Sequence, residues 1–314
     1  YRRNMKKILL TGAGGFLGRQ FLWRIKDSNK YFVYAVTSNT EKLNGIISAP
    51  NIQIIEKGAK IDWKDLDIVL HGAFSRAGES SGYITSLVYA KQIFNEAISN
   101  KVSAIINISS QSLYGNNPNI PWSEDAELIP NDIYGMAKAS AEILLDGIAR
   151  DSETTITNLR LSSIMLNARF VNVFVQNAID GKPIHIVGGT QKVSFMDIRD
   201  AVDGILALID TPISKWDKVY NLGTGKQNSI IEIAEIVKEV ATKYVTNEVE
   251  INVEKKDIFL NPCMNVSKFN KLTSWNAQYD IKEMIKSQFE YLLDNKLGGG
   301  NGVSTSYPLT YKWQ

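Results

Sequence analysis

Tyr134 and Lys138 stand four residues apart in the run Tyr134-Gly135-Met136-Ala137-Lys138, which on a helix places a phenol and an ammonium on one face. A phenol ordinarily titrates near pH 10, so it exchanges protons near neutrality only where a neighbouring cation favours its ionised form. Lys138 is such a cation. Upstream, Ser109-Ser110-Gln111-Ser112-Leu113-Tyr114-Gly115 closes an apolar stretch. A hydroxyl at the carboxyl end of a strand faces the crevice where open α/β sheets bind ligands, so Ser110 is placed to hydrogen-bond a reacting oxygen beside the phenol. Each part alone has an ordinary structural explanation. Lysine and tyrosine often share a solvated helix face, and serines often cap turns. In this order and spacing they point to acid–base catalysis by Tyr134, with Ser110 and Lys138 beside it.

A second constellation comes first in the chain. The run Thr11-Gly12-Ala13-Gly14-Gly15-Phe16-Leu17-Gly18 follows a short apolar stretch directly. Glycines at 12, 15 and 18 allow a sharp turn, close approach to a diphosphate and tight packing of the next helix, whose N-terminus favours phosphate. The spacing is T-G-x-x-G-x-x-G, since the older G-x-G-x-x-G pattern would need glycine where Leu17 stands. About twenty residues on, an enzyme that binds NAD places an acid to hold the adenosine ribose. Here Ala35-Val36-Thr37-Ser38-Asn39-Thr40 holds none, and Lys42 is the nearest cation. Thr37 and Ser38 tolerate a 2′-phosphate, so NAD and NADP both remain open.

These residues need a scaffold, and the pattern names one. Short apolar runs at 7–11, 32–37, 52–56, 68–71, 104–109 and 155–161 read as strands, with helices over 16–26, 83–100 and 134–150. That alternation predicts an α/β fold: a Rossmann-type doubly wound parallel sheet with a smaller C-terminal α/β lobe. The dinucleotide-binding part is expected over 1–162, completed by elements near 193–223, with 163–314 mainly a substrate lobe. The segment 116–130 holds three prolines and reads as a surface loop. Beyond 162, helices are expected near 171–180, 197–209 and 228–244, and strands near 183–187 and 219–222. The Gly- and Ser-rich tail 298–314 is expected to be mobile.

Composition narrows the classes. A formal net charge of +2 on 314 residues excludes a strongly basic nucleic-acid binder. No apolar run reaches membrane-spanning length, and Lys6-Lys7 before Ile8-Leu9-Leu10 reads as a strand rather than a secretory signal. Cys263 is the single cysteine, and His71 and His185 are the only histidines, so neither a disulfide nor a metal site is expected. A cytoplasmic location fits this composition.

Taken together, the motifs resemble the extended short-chain dehydrogenase/reductases of the nucleotide-sugar epimerase/dehydratase family, with similarity from about residue 5 to about 293. The strongest matches are Thr11 to Gly18, Ser109 to Gly115, Tyr134 to Lys138 and Tyr220-Asn221-Leu222-Gly223-Thr224-Gly225; Met264 to Lys268 and Trp275 match more weakly. The resemblance implies catalytic roles for Ser110, Tyr134 and Lys138. It implies cofactor contacts by Gly12, Gly15 and Gly18, by Phe16 and Leu17 through their backbone, and by Lys138 with the nicotinamide ribose. His71-Gly72-Ala73-Phe74 stands at the family's "H-x-A", which implies backbone contacts at Gly72 and Ala73, with His71 itself read as packing. Homodimers through the helices at 83–100 and 134–150 are expected on the same ground.

Three reactions share this scaffold. A 4,6-dehydratase of the family places Asp-Glu directly after the hydroxyl residue, where Gln111 and Ser112 stand here; neither exchanges a proton at neutral pH, which excludes dehydration. A UDP-sugar type 4-epimerase and an NADPH-dependent 4-ketosugar reductase both need only Ser110, Tyr134 and Lys138. A third class, a dinucleotide-binding regulator without turnover, has no reason to keep all three. Arg76, Ser110, Gln111, Ser112, Ser163 and Lys192 are the candidates for substrate contact. The arginines with which the family clamps a diphosphate are missing: one segment reads Val193-Ser194-Phe195, the other Glu254-Lys255-Lys256-Asp257. Lys192, Lys255 and Lys256 replace them only as point charges without bidentate geometry.

Overall fold

The computed structural model describes residues 5–46, 48–75 and 80–297. The first half alternates strand and helix: β1 (Lys6–Thr11), α1 (Phe16–Ile25), β2 (Tyr31–Thr37), β3 (Ile52–Glu56), β4 (Ile68–His71), α2 (Ser80–Ser99), β5 (Ala104–Ser110), α3 (Ile133–Ala149) and β6 (Thr155–Leu161). The second half follows with β7 (Ser163–Ile164), α4 (Arg169–Ile179), β8 (Ile184–Val187), β9 (Lys192–Val193), β10 (Phe195–Met196) and α5 (Ile198–Asp210). After these come β11 (Val219–Leu222), β12 (Asn228–Ser229), α6 (Ile230–Ala241), β13 (Ile251–Glu254), α7 (Ser267–Thr273) and α8 (Ile281–Leu297).

Seven strands form one sheet in the order β11-β6-β5-β4-β1-β2-β3, and every pair in it is parallel. Parallel strands are covered on both faces, so the central ones are close to continuously apolar. Ile8, Leu9 and Leu10 of β1 are accordingly buried. One face packs on α1 and α5 through Phe21, Leu22, Val202 and Ile205. The other packs on α2 and α3 through Ile93, Phe94 and Leu145. The chain runs outward from β1 to β3, then crosses back to β4 and runs the other way. This places a switch point between β1 and β4, where doubly wound sheets bind ligands beyond their strand ends.

A second core lies in the later half. Val171 and Phe174 of α4, Ile184 and Ile186 of β8, Ile233 and Val237 of α6 and Phe289 of α8 bury one another. The helices α7 and α8 and the strand β13 lie beyond the elements that the sequence pattern predicts. The tail from 298 lies outside the described residues. No described helix is long and apolar enough to cross a membrane.

Candidate active site

At the carboxyl rim of the sheet, β1 gives way to the glycine turn. Gly12 has φ 75°, and a Cβ there would lie 2.7 Å from the Ala73 nitrogen, so only glycine lets the turns after β1 and β4 touch. No side chain caps α1 at Gly15. The turn therefore presents the start of a helix to whatever enters between β1 and β4.

Ser110 ends β5 and N-caps a short helical turn; its Oγ accepts from the Ser112 N–H at 3.2 Å and donates to Ser112 Oγ at 3.1 Å. Capping is thus one of its functions here. The start of α3 is pressed onto that turn. Asp132 caps the helix by accepting from the Gly135 N–H at 2.6 Å, and a Cβ on Gly135 would come within 2.5 Å of the Ser112 carbonyl oxygen. The missing side chain is what lets Tyr134 stand next to the Ser110–Ser112 turn.

Lys138, one helical turn on, is buried; its Nζ donates to the Ile108 carbonyl at 2.7 Å. The same ammonium lies 4.0 Å over the Phe74 ring and 5.9 Å from the Tyr134 ring centroid. Phe74, Tyr83 and Tyr134 form an aromatic triangle with centroids 6.1 to 6.3 Å apart.

Two adjoining cavities follow this rim. The first, about 410 Å³, is lined by the glycine turn through Gly12, Gly15, Phe16, Leu17 and Gly18, and on its other wall by Gly72, Ser110, Ser112, Tyr134, Lys138 and Ser163. The second, about 510 Å³, takes in Thr37, Ser38 and Ala73, and shares Gly12, Gly14, Gly15, Lys42 and Phe74 with the first. Tyr134, Ser110, Lys138 and the glycine turn are thereby brought to one continuous cleft. Gln111 and Lys192 lie outside both linings. Gln111 is buried and donates from Nε2 to Ser163 Oγ at 2.8 Å, and Lys192 sits exposed on β9. Arg76 lies outside the described residues.

The cleft suits a dinucleotide on two grounds. The glycine cradle has no Cβ to obstruct a diphosphate, and Ser109 Oγ is buried on the cavity wall with no hydrogen-bond partner. A buried hydroxyl without a partner is costly unless a ligand completes it. His71, beneath the rim, is fully enclosed: its Nδ1 is 2.8 Å from Thr11 Oγ1 and its ring meets Phe94 edge-on at 5.1 Å. Burial, and secondarily the Lys138 charge, push its imidazole down to about 3. It is a neutral packing group at physiological pH.

The model of the NAD dependent epimerase/dehydratase family matches residues 8–223, more than half of the chain. The chain belongs to that family. Membership makes it a nicotinamide-dependent enzyme of the epimerase or oxidoreductase type, within the extended short-chain dehydrogenase/reductases. Among curated relatives, a UDP-glucose 4-epimerase of Oryza sativa subsp. japonica is 24% identical, over 96% of this chain and 94% of its own. A trifunctional UDP-glucose 4,6-dehydratase/3,5-epimerase/reductase of Arabidopsis thaliana is 23% identical over 75% of this chain, but the match spans only 40% of that longer protein. The crystal structure of UDP-glucuronic acid 4-epimerase from Bacillus cereus, with UDP-glucuronic acid and NAD, superposes with a TM-score of 0.76. It is 22% identical, and the match covers 92% of this chain and 99% of that one. At that identity the likeness shows the fold.

Among the lining residues that the motifs do not mark as parts of the site, two carry charge or shield it. Phe74, which roofs the Lys138 ammonium, lines both cavities. Lys57, just past β3, lines the second cavity. Its signal is positional: it is the first residue beyond a parallel strand, on the same rim as Thr37 and Gly72.

Proposed function

We propose that this chain is a nucleotide-sugar 4-epimerase of the UDP-sugar type. The observation that carries the reading is that Ser110, Tyr134 and Lys138 line one cleft with the glycine turn, while Gln111 and Ser112 stand where dehydration would need an acid and a base. Tyr134 Oη takes the proton of the sugar's C4 hydroxyl as that carbon is oxidised, and returns it to the same oxygen on reduction. Ser110 Oγ donates a hydrogen bond to the C4 oxygen, and the Lys138 ammonium offsets the negative charge that passes through the phenolic oxygen. The dinucleotide, when bound, supplies the hydride acceptor and then the donor. Gly12, Gly15, Phe16, Leu17 and Gly18 would hold its diphosphate, Thr37 and Ser38 its adenosine end, Gly72 and Ala73 its middle, and Lys138 its nicotinamide ribose. Ser112 and Ser163 are assigned to the sugar. The lobe around the second core takes the nucleotide.

A second reading, an NADPH-dependent 4-ketosugar reductase, is favoured by one observation: the second cavity has no carboxylate among its described lining residues. Cofactor retention separates the two. An epimerase should purify with oxidised dinucleotide bound and interconvert C4 epimers of a UDP-sugar without consuming reduced cofactor. Stoichiometric loss of NADPH with a 4-ketosugar would favour the reductase. Dinucleotide binding with no turnover across a sugar-nucleotide panel would leave only a regulator.

A further inference from the structure

Gln111 directly follows Ser110, yet its side chain lies buried outside the cleft lining, 7% exposed. It opens the short helical turn Gln111–Leu113, and its backbone carbonyl accepts from the Tyr114 N–H at 3.0 Å, which fixes where the side chain starts. From there Nε2 crosses to Ser163 Oγ at 2.8 Å. Ser163 opens β7, which pairs with β10 through Phe195. The bond thus joins the turn that carries Ser110 and Ser112 to the strand that opens the second half of the chain. All three serines line the first cavity, so Gln111 sets the spacing of their hydroxyls from behind.

A serine hydroxyl offers one proton and two lone pairs. The Gln111 amide occupies a lone pair of Ser163, and no described residue accepts the Ser163 proton. The neighbouring hydroxyls are committed differently: Ser162 Oγ donates to the Ser194 carbonyl at 3.3 Å, and Ser110 Oγ donates to Ser112 Oγ at 3.1 Å. Ser163 is exposed on the cavity wall, so its proton is directed at whatever fills the cleft. The reverse amide orientation would make Ser163 the donor and leave a buried NH2 group without an acceptor. As it stands, only the carbonyl Oε1 lacks a partner. That is the less costly arrangement, because an amide nitrogen has two protons to satisfy.

We propose that Gln111 is a positioning residue for the sugar: by donating to Ser163 Oγ, it commits that hydroxyl to donate in turn to an oxygen of the substrate's sugar. The proposal rests on the UDP-sugar reading given above. Gln111 touches no reacting atom, so its effect falls on binding of the sugar and not on the chemical step.

The test uses the full chain with UDP-glucose and UDP-galactose, and UDP alone as a probe that lacks the sugar. Gln111→Met keeps the length of the side chain and removes the amide. It should raise KM for either UDP-sugar about 3- to 10-fold, the range of one neutral hydrogen bond, with kcat within about 2-fold and UDP affinity by calorimetry unchanged. Ser163→Ala should do the same. The double variant should be no more than about 2-fold worse than the poorer single one, since both changes remove the same interaction. Gln111→Glu sets an acceptor opposite Ser163, draws the proton back and should raise KM at least as far as Gln111→Met; a native KM in that variant overturns the donor assignment. An unchanged KM in Gln111→Met or Ser163→Ala, effects that multiply in the double variant, or an equal loss of UDP affinity overturns the proposal. A merely structural Gln111 would lower the urea midpoint without moving KM. Absence of interconversion would sink the epimerase reading alone, because the affinity of UDP-glucose relative to UDP still decides the role of Gln111. If UDP-glucose binds no better than UDP to the native chain, the proposal falls.

Discussion

Tyr134→Phe removes one oxygen and little else, because the ring keeps its contacts with Phe74 and Tyr83. Turnover is expected to fall at least about 100-fold, in line with the loss of a general acid–base group, while dinucleotide affinity stays within a few-fold. Steady-state kinetics beside a binding titration checks this, and near-normal turnover would overturn the mechanism. His71 makes a separate prediction about stability. Its folded value of about 3 lies below the ordinary histidine value near 6.5. The unfolded chain binds a proton below about pH 6.5 that the folded chain refuses until about pH 3. The stability held by the neutral ring is therefore full above 6.5 and is lost as pH falls towards 3. His71→Asn should be less stable than the native chain by about 2 kcal/mol at pH 7.5, and the gap should narrow at pH 4.5 in urea melts. A gap that widens on acidification would refute the account. At this scale the motifs were legible because three patterns, each ordinary alone, stand together in one order and spacing. Phe74 and Lys57 were not, since a lone residue after a strand has no period and reveals its surroundings only when the rim is assembled.

Tyr134 and Lys138 are held in place by what lies one turn further along α3. Glu142 is buried and takes Arg160 of β6 in a paired contact, with Nη2 to Oε2 at 2.7 Å and Nε to Oε1 at 3.1 Å. Arg160 also donates to the Tyr114 hydroxyl at 2.8 Å, and that hydroxyl donates to Asn221 at 2.8 Å. Burial works against the Arg160 charge, yet its bonds to Glu142 and Tyr114 raise it above its usual value. Helix α3 is thus anchored to the sheet and to the 114–130 loop by one polar network. Breaking one side of a buried ion pair leaves the other charge uncompensated. Glu142→Gln is expected to lower stability by about 3 kcal/mol, read by urea unfolding; a change under about 0.5 kcal/mol would show that the network bears no load on α3. Element boundaries in the first half followed from strands that are mostly buried and largely apolar, β1 and β4 above all. Helix α8 was missed although Met284, Ile285, Gln288 and Phe289 are buried at helical spacing. Its remaining residues are largely polar, and the apolar stripe is narrow enough to pass for a loop until its partners on α4 and α6 are known.

At the scale of the molecule, α2 and α3 pack against each other and turn an apolar stripe outward. Ile84 and Val88 of α2 are 62% and 63% exposed, and Met136 and Ile143 of α3 are 52% and 70% exposed. Contiguous exposed apolar residues mark an interaction surface, whereas scattered ones do not. We infer a homodimer in which a second copy covers this stripe. Light scattering should give twice the chain mass, and Ile84→Glu with Ile143→Glu should give a monomer; a monomeric native chain would end the inference. The second core adds a consequence in time. It joins α4, α6 and α8, so on a ribosome it cannot close until Phe289 has emerged, whereas the last strand of the sheet is complete at Leu222. The nascent chain therefore passes through a stage with a finished sheet and two greasy helices awaiting their third, the interval in which a chaperone would find most to hold.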